Sequence, residues 1–486
     1  MIGREHAAGL TADATRLTTR LFLPGEGLTS AHSRTVEIAA RVLAISAKRT
    51  ETLAAELVAA FSARHLDVVS VFERNARVVE SRITNADTLT PAQRTVLGAS
   101  FTTEYAVEGA ALCNPSAVAH PDQSGLLPGQ LRVAVSTRSI GEGHRSSITF
   151  AEAVIGADRS WTFAERQHPL AQASINEGTW DRDQLRRALE QDGRLTELSS
   201  AALSRLPQRF PAVAVAAAVS ALPAELTAHQ DSRLDAEVLH RVAMSTYEAN
   251  FGPATSLSQR VLLPVAADED HGMEDARFVR FTDANGVRSY RASYTAYDGR
   301  DVSTRLITSP DLAHFVIQRL SGDATHTKGI ALFPRIVGDA HLALSRTDGE
   351  SISLARSPDG MNWTDVAVVH RPTEPWELVQ TGNCGSPIET PRGWIVLTHG
   401  VGPMRSYSMG ALLLDLDDPR RVVARTTEPI LNPARDRDAG YVPNVVYSCG
   451  GLVHDGTLWI PFGIDDSRVG VFSLGIDELL NAMTVA

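Results

Sequence analysis

Cysteine is scarce in this chain of 486 residues. Cys113, Cys384 and Cys449 stand far apart, with no Cys-x-x-Cys pair. That argues against a disulfide framework or a thiolate metal site, and reads the three as buried small hydrophobes. Long apolar runs are missing too: residues 212–222, the most apolar stretch, are too short to span a bilayer and lie between Pro211 and Pro223. The N-terminus has no positively charged segment leading into an apolar core, so no signal peptide is expected and the chain reads as cytoplasmic, with no membrane partner. Basic charge is outnumbered, 46 Lys and Arg against 57 Asp and Glu, for a net charge of −11. A nucleic-acid partner needs a basic surface, so none is expected. No His-Glu-x-x-His or similar metal spacing occurs, and Gly141-Glu142-Gly143-His144-Arg145 lacks the length and setting of a phosphate loop. Neither a metal nor a cofactor is expected.

What remains is ordinary globular composition, 43% hydrophobic and 21% charged, long enough for two or three domains or one repeat fold with additions. Helical spacing runs from Ser33 to about Leu97: Val36, Ala39, Ala40 and Leu43, then Leu53, Leu57 and Phe61, with Thr90-Pro91 as a capped helix start. From Gly109 the texture is that of strands and tight turns, as in residues 131–136 and 148–155. A second helical stretch opens at Thr179, with Asp181 and Asp183 in its first turn and breaks at Pro207, Pro211 and Pro223. Sheet resumes at Arg260, so that stretch reads as an insertion.

A repeat organises the sheet regions. Ser309-Pro310-Asp311-Leu312-Ala313-His314-Phe315 has a counterpart 48 residues on in Ser357-Pro358-Asp359-Gly360-Met361-Asn362-Trp363, and a weaker one at residues 156–161. The spacing is close to one four-stranded propeller blade. The expected fold is therefore mainly β, a five-bladed β-propeller with an N-terminal helical domain and a helical insertion. Its segments are 1–105 (helical), 106–174 (first blade), 175–255 (insertion) and 256–486 (remaining blades). Loops from every blade of such a fold can meet at a central funnel.

The candidate chemistry centres on His271-Gly272-Met273-Glu274-Asp275-Ala276-Arg277. A hairpin with its turn at Asp283-Ala284-Asn285-Gly286 is expected to carry Asp275 and Asp298 at its mouth. A carboxylate beside an arginine can be an acid or base, or a plain ion pair. Other polar groups beside strand ends are Asn114, Arg138, Glu142, His144, Arg145, Lys328, Arg346, Glu389, His399, Tyr441, Asn444 and Asp466. Taken singly, each is more often a solvated or hydrogen-bonded group than a catalytic one.

Together these motifs resemble glycoside hydrolase family 130, the inverting β-mannoside phosphorylases and β-mannosidases. The resemblance rests on residues 272–277, Tyr294-Thr295-Ala296-Tyr297-Asp298, Lys328 with Leu332-Phe333-Pro334, Pro387-Ile388-Glu389-Thr390, Gly393-Trp394, His399-Gly400-Val401, residues 441–446 and Gly463-Ile464-Asp465-Asp466. It covers residues 109–155 and 258–475 and implies a five-bladed propeller acting on manno-oligosaccharides with inversion. Asp275 matches the family's acid, which protonates the glycosidic oxygen through a sugar hydroxyl. Lys328 and Arg346 resemble phosphate-holding positions. Asn114, Arg138, Arg145, Glu274, Arg277, Asp298, His399, Tyr441, Asn444 and Asp466 are the candidate substrate contacts.

Two departures stand out. Ala276 replaces a proline usual in the family, and Glu389 stands where its phosphorylases usually carry lysine. A carboxylate there would repel phosphate and could activate water, so Glu389 is the candidate base and hydrolysis the favoured reading. Inverting hydrolysis needs such a second carboxylate about 6.5–9.5 Å from the acid. Phosphorolysis, with inorganic phosphate as co-substrate, is the alternative, followed by a propeller that binds glycans without cleaving them. Asp275, Glu389, His399, Tyr441 and Asp466 are expected to converge on one funnel. The insertion is expected at its rim, narrowing it and restricting the enzyme to short or terminal sugars, and the helical segments are the candidate surface for homo-oligomer contacts.

Overall fold

Short runs rich in β-branched and aromatic residues, interrupted by Asp- and Gly-centred turns, make most of this chain strand. The computed structural model describes residues 2–24, 34–83, 86–228, 230–434 and 440–485. The fold is mainly β. The repeated turn has a physical basis: Asp311 Oδ1 accepts the N–H groups of Ala313 and His314, and Ser309 Oγ accepts that of Leu312. Asp359 does the same for Met361 and Asn362, with Ser357 accepting from Gly360. In the weaker copy Asp158 accepts from Ser160. Each turn delivers an aromatic ring, Phe315, Trp363 or Trp161, into the core.

Antiparallel strands form successive groups along the chain. Ala111–Ala119, Leu131–Ile140, Ser146–Ile155 and Trp161–Phe163 make one; Gly272–Thr282, Arg288–Tyr297, Val302–Ser309 and His314–Arg319 make another. A parallel contact between Gly272 and Ser146 joins these two into one larger sheet. There a Cβ on Gly272, at φ +148°, would lie 2.7 Å from the Ser146 backbone, so glycine permits the junction. The third group spans residues 331–370, and the fourth runs from Gln380–Asn383 through Gly393–Val401 and Tyr407–Leu414 to Val422–Arg425. The last contains Val446–Tyr447, Thr457–Ile464 and Arg468–Gly475.

That last sheet takes its outer strand from the other end of the chain. Arg4–Thr11, which the sequence places in a helical segment, pairs antiparallel with Arg468–Gly475. Burial alternates along it, with His6 and Ala8 half-buried and Leu10 fully buried, but a histidine and an alanine at those positions give the alternation almost no hydrophobic signature in the sequence.

Residues 13–109 and 167–172 form a separate compact unit. Its helices Arg34–Leu43, Ala47–Phe61, Val68–Glu80 and Pro91–Ser100 pack around Ala39, Ala76, Val79, Leu97 and Phe101. Thr90 and Gln93 make the expected cap; Ser33, the expected start of the first helix, lies outside the described residues.

The stretch after residue 175 is also helical, with its own core of Leu185, Leu189, Leu203, Phe210, Val215 and Leu239. Thr179–Asp181 is a short strand, and Asp181 caps the helix that follows through the N–H groups of Asp183 and Gln184. The helices are attached by a strand pair, Ser174–Glu177 with Tyr247–Asn250, which extends the sheet beyond His314–Arg319. Tyr247 and Tyr294 both donate to the buried Glu269 carboxylate, which also accepts the N–H groups of Val265 and Ala266. A buried charge so fully bonded ties the insertion to the sheet. Arg305 reinforces it, donating to the Ser245 carbonyl and to Asp268. Among the described residues, no helix is long and apolar enough to cross a membrane.

Candidate active site

Register places the start of each group's first strand beside the connection between its second and third strands. Ala111 faces Ile140, Gly272 faces Tyr297, Ala331 faces Leu344, Gln380 faces Val401 and Val446 faces Ile464. The connections that follow, residues 141–145, 298–301, 346–351, 402–406 and 465–467, therefore stand at the same strand ends as Asn114 and Asp275. Arg346, Arg405 and Asp466 belong to these connections.

Asn114 and Asp275 each sit in an irregularity of their strand, with φ of 47° and 56°. Left-handed backbone is uncommon outside glycine, though Asn and Asp adopt it more readily than most, and here it re-aims the side chain. The Asn114 Nδ2 donates to Asp275 Oδ1 at 2.6 Å. Arg138 donates to the same oxygen at 3.3 Å and to Glu274 at 2.7 Å, while Lys328 Nζ donates to the other Glu274 oxygen at 2.6 Å. Arg277, 3% exposed, donates to the Asp275 and Cys384 carbonyls and to the Tyr447 hydroxyl. The three cysteines are buried, as their spacing suggested.

The balance of charge sets the state of each group. Burial pushes the Asp275 carboxyl up, but Arg138, Arg277, the Asn114 bond and Lys328 outweigh it and hold it below the usual carboxylate range. Burial and the neighbouring Asp275 charge push Asp466 the other way, up to about 6, against the pull of Arg138 and Arg405. His399 is buried, and burial together with Arg346 and Arg277 keeps its ring neutral, well below its ordinary value. Arg346 can only donate, so His399 Nε2, 3.1 Å away, accepts and the proton lies on Nδ1. The His399 ring also lies 4.9 Å from Tyr447, which links this pair to Arg277. Asn114 Oδ1 and Arg346 Nε are buried without a protein hydrogen-bond partner, an expensive state unless a ligand meets them.

The structure thus assembles Asn114, Arg138, Glu274, Asp275, Arg277 and Lys328, with Arg346, His399 and Asp466 at the same strand ends. Tyr441 bonds His144 Nδ1 at 2.6 Å above the 141–145 connection, which Arg145 closes by accepting the Gly141 N–H. Asn444 is exposed, its carbonyl accepting from Tyr407. Asp298 is not in the cluster: it caps its own loop through the N–H groups of Arg300 and Asp301.

Glu389 is the clear departure. It follows the first strand to its far end, next to the turn that Thr390 and Gly393 close. There Arg335 holds both its oxygens, at 2.9 and 3.1 Å, and it lines a separate cavity of about 470 Å³ with Phe278, Ile388 and Leu452. The candidate base is thus not beside the candidate acid, because the irregular stretch after Asn383 carries the chain past the cluster before Ile388–Thr390 resumes pairing. Sequence reasoning also overlooked Arg405 and Tyr447. Arg405 was recoverable, since Gly402-Pro403-Met404-Arg405-Ser406 makes the same connection as residues 141–145, closed by Gly402 N–H to Ser406 as Gly141 is to Arg145. Among the described residues no cluster of His, Cys, Asp or Glu could hold a metal.

A family model for glycoside hydrolase family 130, described as beta-1,4-mannooligosaccharide phosphorylase, matches residues 252–485. The chain is 34% identical over 228 residues to a 1,2-beta-oligomannan phosphorylase of Thermoanaerobacter sp. (strain X514), spanning 46% of this chain and 75% of the relative. It is 31% identical over 234 residues to a beta-1,2-mannobiose phosphorylase of Listeria innocua, spanning 46% of this chain and 63% of that protein. A solved structure of the Listeria innocua beta-1,2-mannobiose phosphorylase with beta-1,2-mannobiose aligns with 78% of this chain and 92% of its own, at 21% identity and a TM-score of 0.44. The family match begins at residue 252, so Asn114 and Arg138 reach Asp275 from outside it.

Proposed function

Because the chain belongs to glycoside hydrolase family 130, as an enzyme acting on mannosides, we propose that it cleaves β-mannosides by phosphorolysis, releasing mannose 1-phosphate with inversion. The observation that carries this reading is the set of cations, Arg138, Lys328 and Arg346, gathered at the strand ends that hold Asp275. Cationic donors of this kind hold and orient a phosphate nucleophile. The favoured expectation of hydrolysis rested on Glu389 as base, and Glu389 is paired with Arg335 at the other strand ends. The curated relatives are phosphorylases, which supports the same choice.

In this reading the five strand groups are the blades of a propeller, closed by Arg4–Thr11, and their shared ends form the funnel. Phosphate lies on Lys328 and Arg346, with neutral His399 keeping the guanidinium in place. A phosphate oxygen attacks the anomeric carbon, the bond from that carbon to the glycosidic oxygen breaks, and the leaving oxygen takes the proton of Asp275, through a sugar hydroxyl as in the family. Asp275 is ionised in the resting site, so it must first gain that proton. An arriving phosphate supplies the reason: its negative charge offsets the cations that hold Asp275 down, which raises its affinity for a proton. Asp466, neutral up to about pH 6, is suited to donate a hydrogen bond to a sugar hydroxyl.

The direct test is incubation with β-linked mannobiose in the presence and absence of phosphate. Mannose 1-phosphate, formed only with phosphate, is the expected product. Release of free mannose at the same rate without phosphate would overturn the reading.

A further inference from the structure

The insertion and the sheet enclose a second cavity of about 400 Å³, at the strand ends that carry Asp275. Val302 opens the strand that follows Tyr297 and the 298–301 connection, and the cavity lies against Asp298, Asp301 and Ser303. Arg194 and Arg241 of the insertion also line it. Deeper charges are already matched, Asp268 by Arg305 and Asp192 by Arg319.

The groups left over decide what can bind. Arg194 and Arg241 are exposed and, among the described residues, have no ion-pair partner. From the sheet side Asp301 offers a carboxylate without a side-chain partner, and Asp298 uses only one oxygen to cap its loop. Two guanidiniums and two carboxylates therefore line the same open space. An anion would meet the aspartates and a cation the arginines. A neutral polyhydroxyl ligand satisfies both kinds of group, because each hydroxyl can donate to a carboxylate and accept from a guanidinium. The valines at 238, 242 and 302 give such a ligand's C–H groups an apolar surface.

The cavity is also placed for a chain that begins at the cluster. Lys328 Nζ, which bonds Glu274 beside Asp275, lies 5.7 Å from the Tyr297 ring centre, and the Tyr297 hydroxyl donates to the Gly299 carbonyl in the cavity's own loop. We propose that this cavity binds sugar units remote from the cleaved bond, making the helical insertion a length-selecting subsite for oligosaccharides. The inference rests on the mannoside reading and extends it to residues outside the family match. The insertion then lengthens the saccharide site, rather than confining the enzyme to short sugars as its position in the sequence suggested.

Titration calorimetry without phosphate separates the two ideas, since it needs no turnover. Dissociation constants are measured for β-linked mannobiose and mannotetraose on the whole protein, on Arg241→Ala and on Asp301→Asn. Hydrogen bonds to charged groups suggest that each substitution weakens mannotetraose at least about tenfold more than mannobiose. Equal weakening of both sugars, or of neither, would refute the subsite. Phosphate-dependent turnover of mannobiose by the same proteins reports on the parent reading alone, so either can fail without the other.

Discussion

The two ends of the central strands carry the same residue types and different chemistry. At one end Asp275 faces Arg138 and Arg277; at the other Glu389 faces Arg335. Glu389 and Arg335 are each 39% exposed, so water screens them and the pair contributes about 0–1 kcal/mol. Asp275 is 16% exposed, and removing one partner from a buried pair of that kind costs about 3–5 kcal/mol. A carboxylate next to an arginine therefore says little by itself. Burial, the number of cations and unmatched buried polar atoms mark one end as a place where charge is held ready for a ligand.

Substitutions sharpen that contrast. The largest effect is expected for Asp275→Asn, which keeps the shape but has no proton to give. Turnover with phosphate should drop by about 10²–10⁴, the usual range for a general acid, measured on protein shown to be folded because the lost ion pair also lowers the thermal midpoint. Activity within threefold of wild type would move the acid elsewhere. Next comes Arg346→Met, which removes a cation and leaves His399 Nε2 without its donor. The KM for phosphate should rise at least about tenfold, more than the KM for the sugar; equal rises would place Arg346 on the sugar instead.

A smaller effect separates Asp466 from its neighbours. Its raised value means that it is neutral below about pH 6 and charged above, where it adds repulsion toward phosphate. Wild-type KM for phosphate should therefore climb through pH 6, and Asp466→Asn should remove that part of the climb. Phosphate's own ionisation is common to both proteins and cancels in their ratio. Parallel pH profiles would show that Asp466 does not titrate there.

Much of this was legible in the residues. The Ser-Pro-Asp repeats announce strand turns because their oxygens cap specific N–H groups, and both occur as read. Residues 272–277 pointed to Asp275, and the cluster around it contains Asn114, Arg138, Glu274 and Lys328 as candidates. Arg4–Thr11 was not legible, because its alternating inner positions are His6, Ala8 and Leu10, too weakly apolar to show, and its partner lies at the other end of the chain. Glu389 failed for a different reason. Its neighbours in sequence place it on a first strand, but which end of that strand it occupies depends on the irregular path after Asn383.

The measurement closest to the central claim is the product of Glu389→Gln. The substitution loses only a half-exposed ion pair, so the variant should release mannose 1-phosphate from β-linked mannobiose at close to the wild-type rate, and only when phosphate is present. A wild type that frees mannose without phosphate, together with a variant that has lost that activity, would return the chemistry to Glu389 and contradict the account.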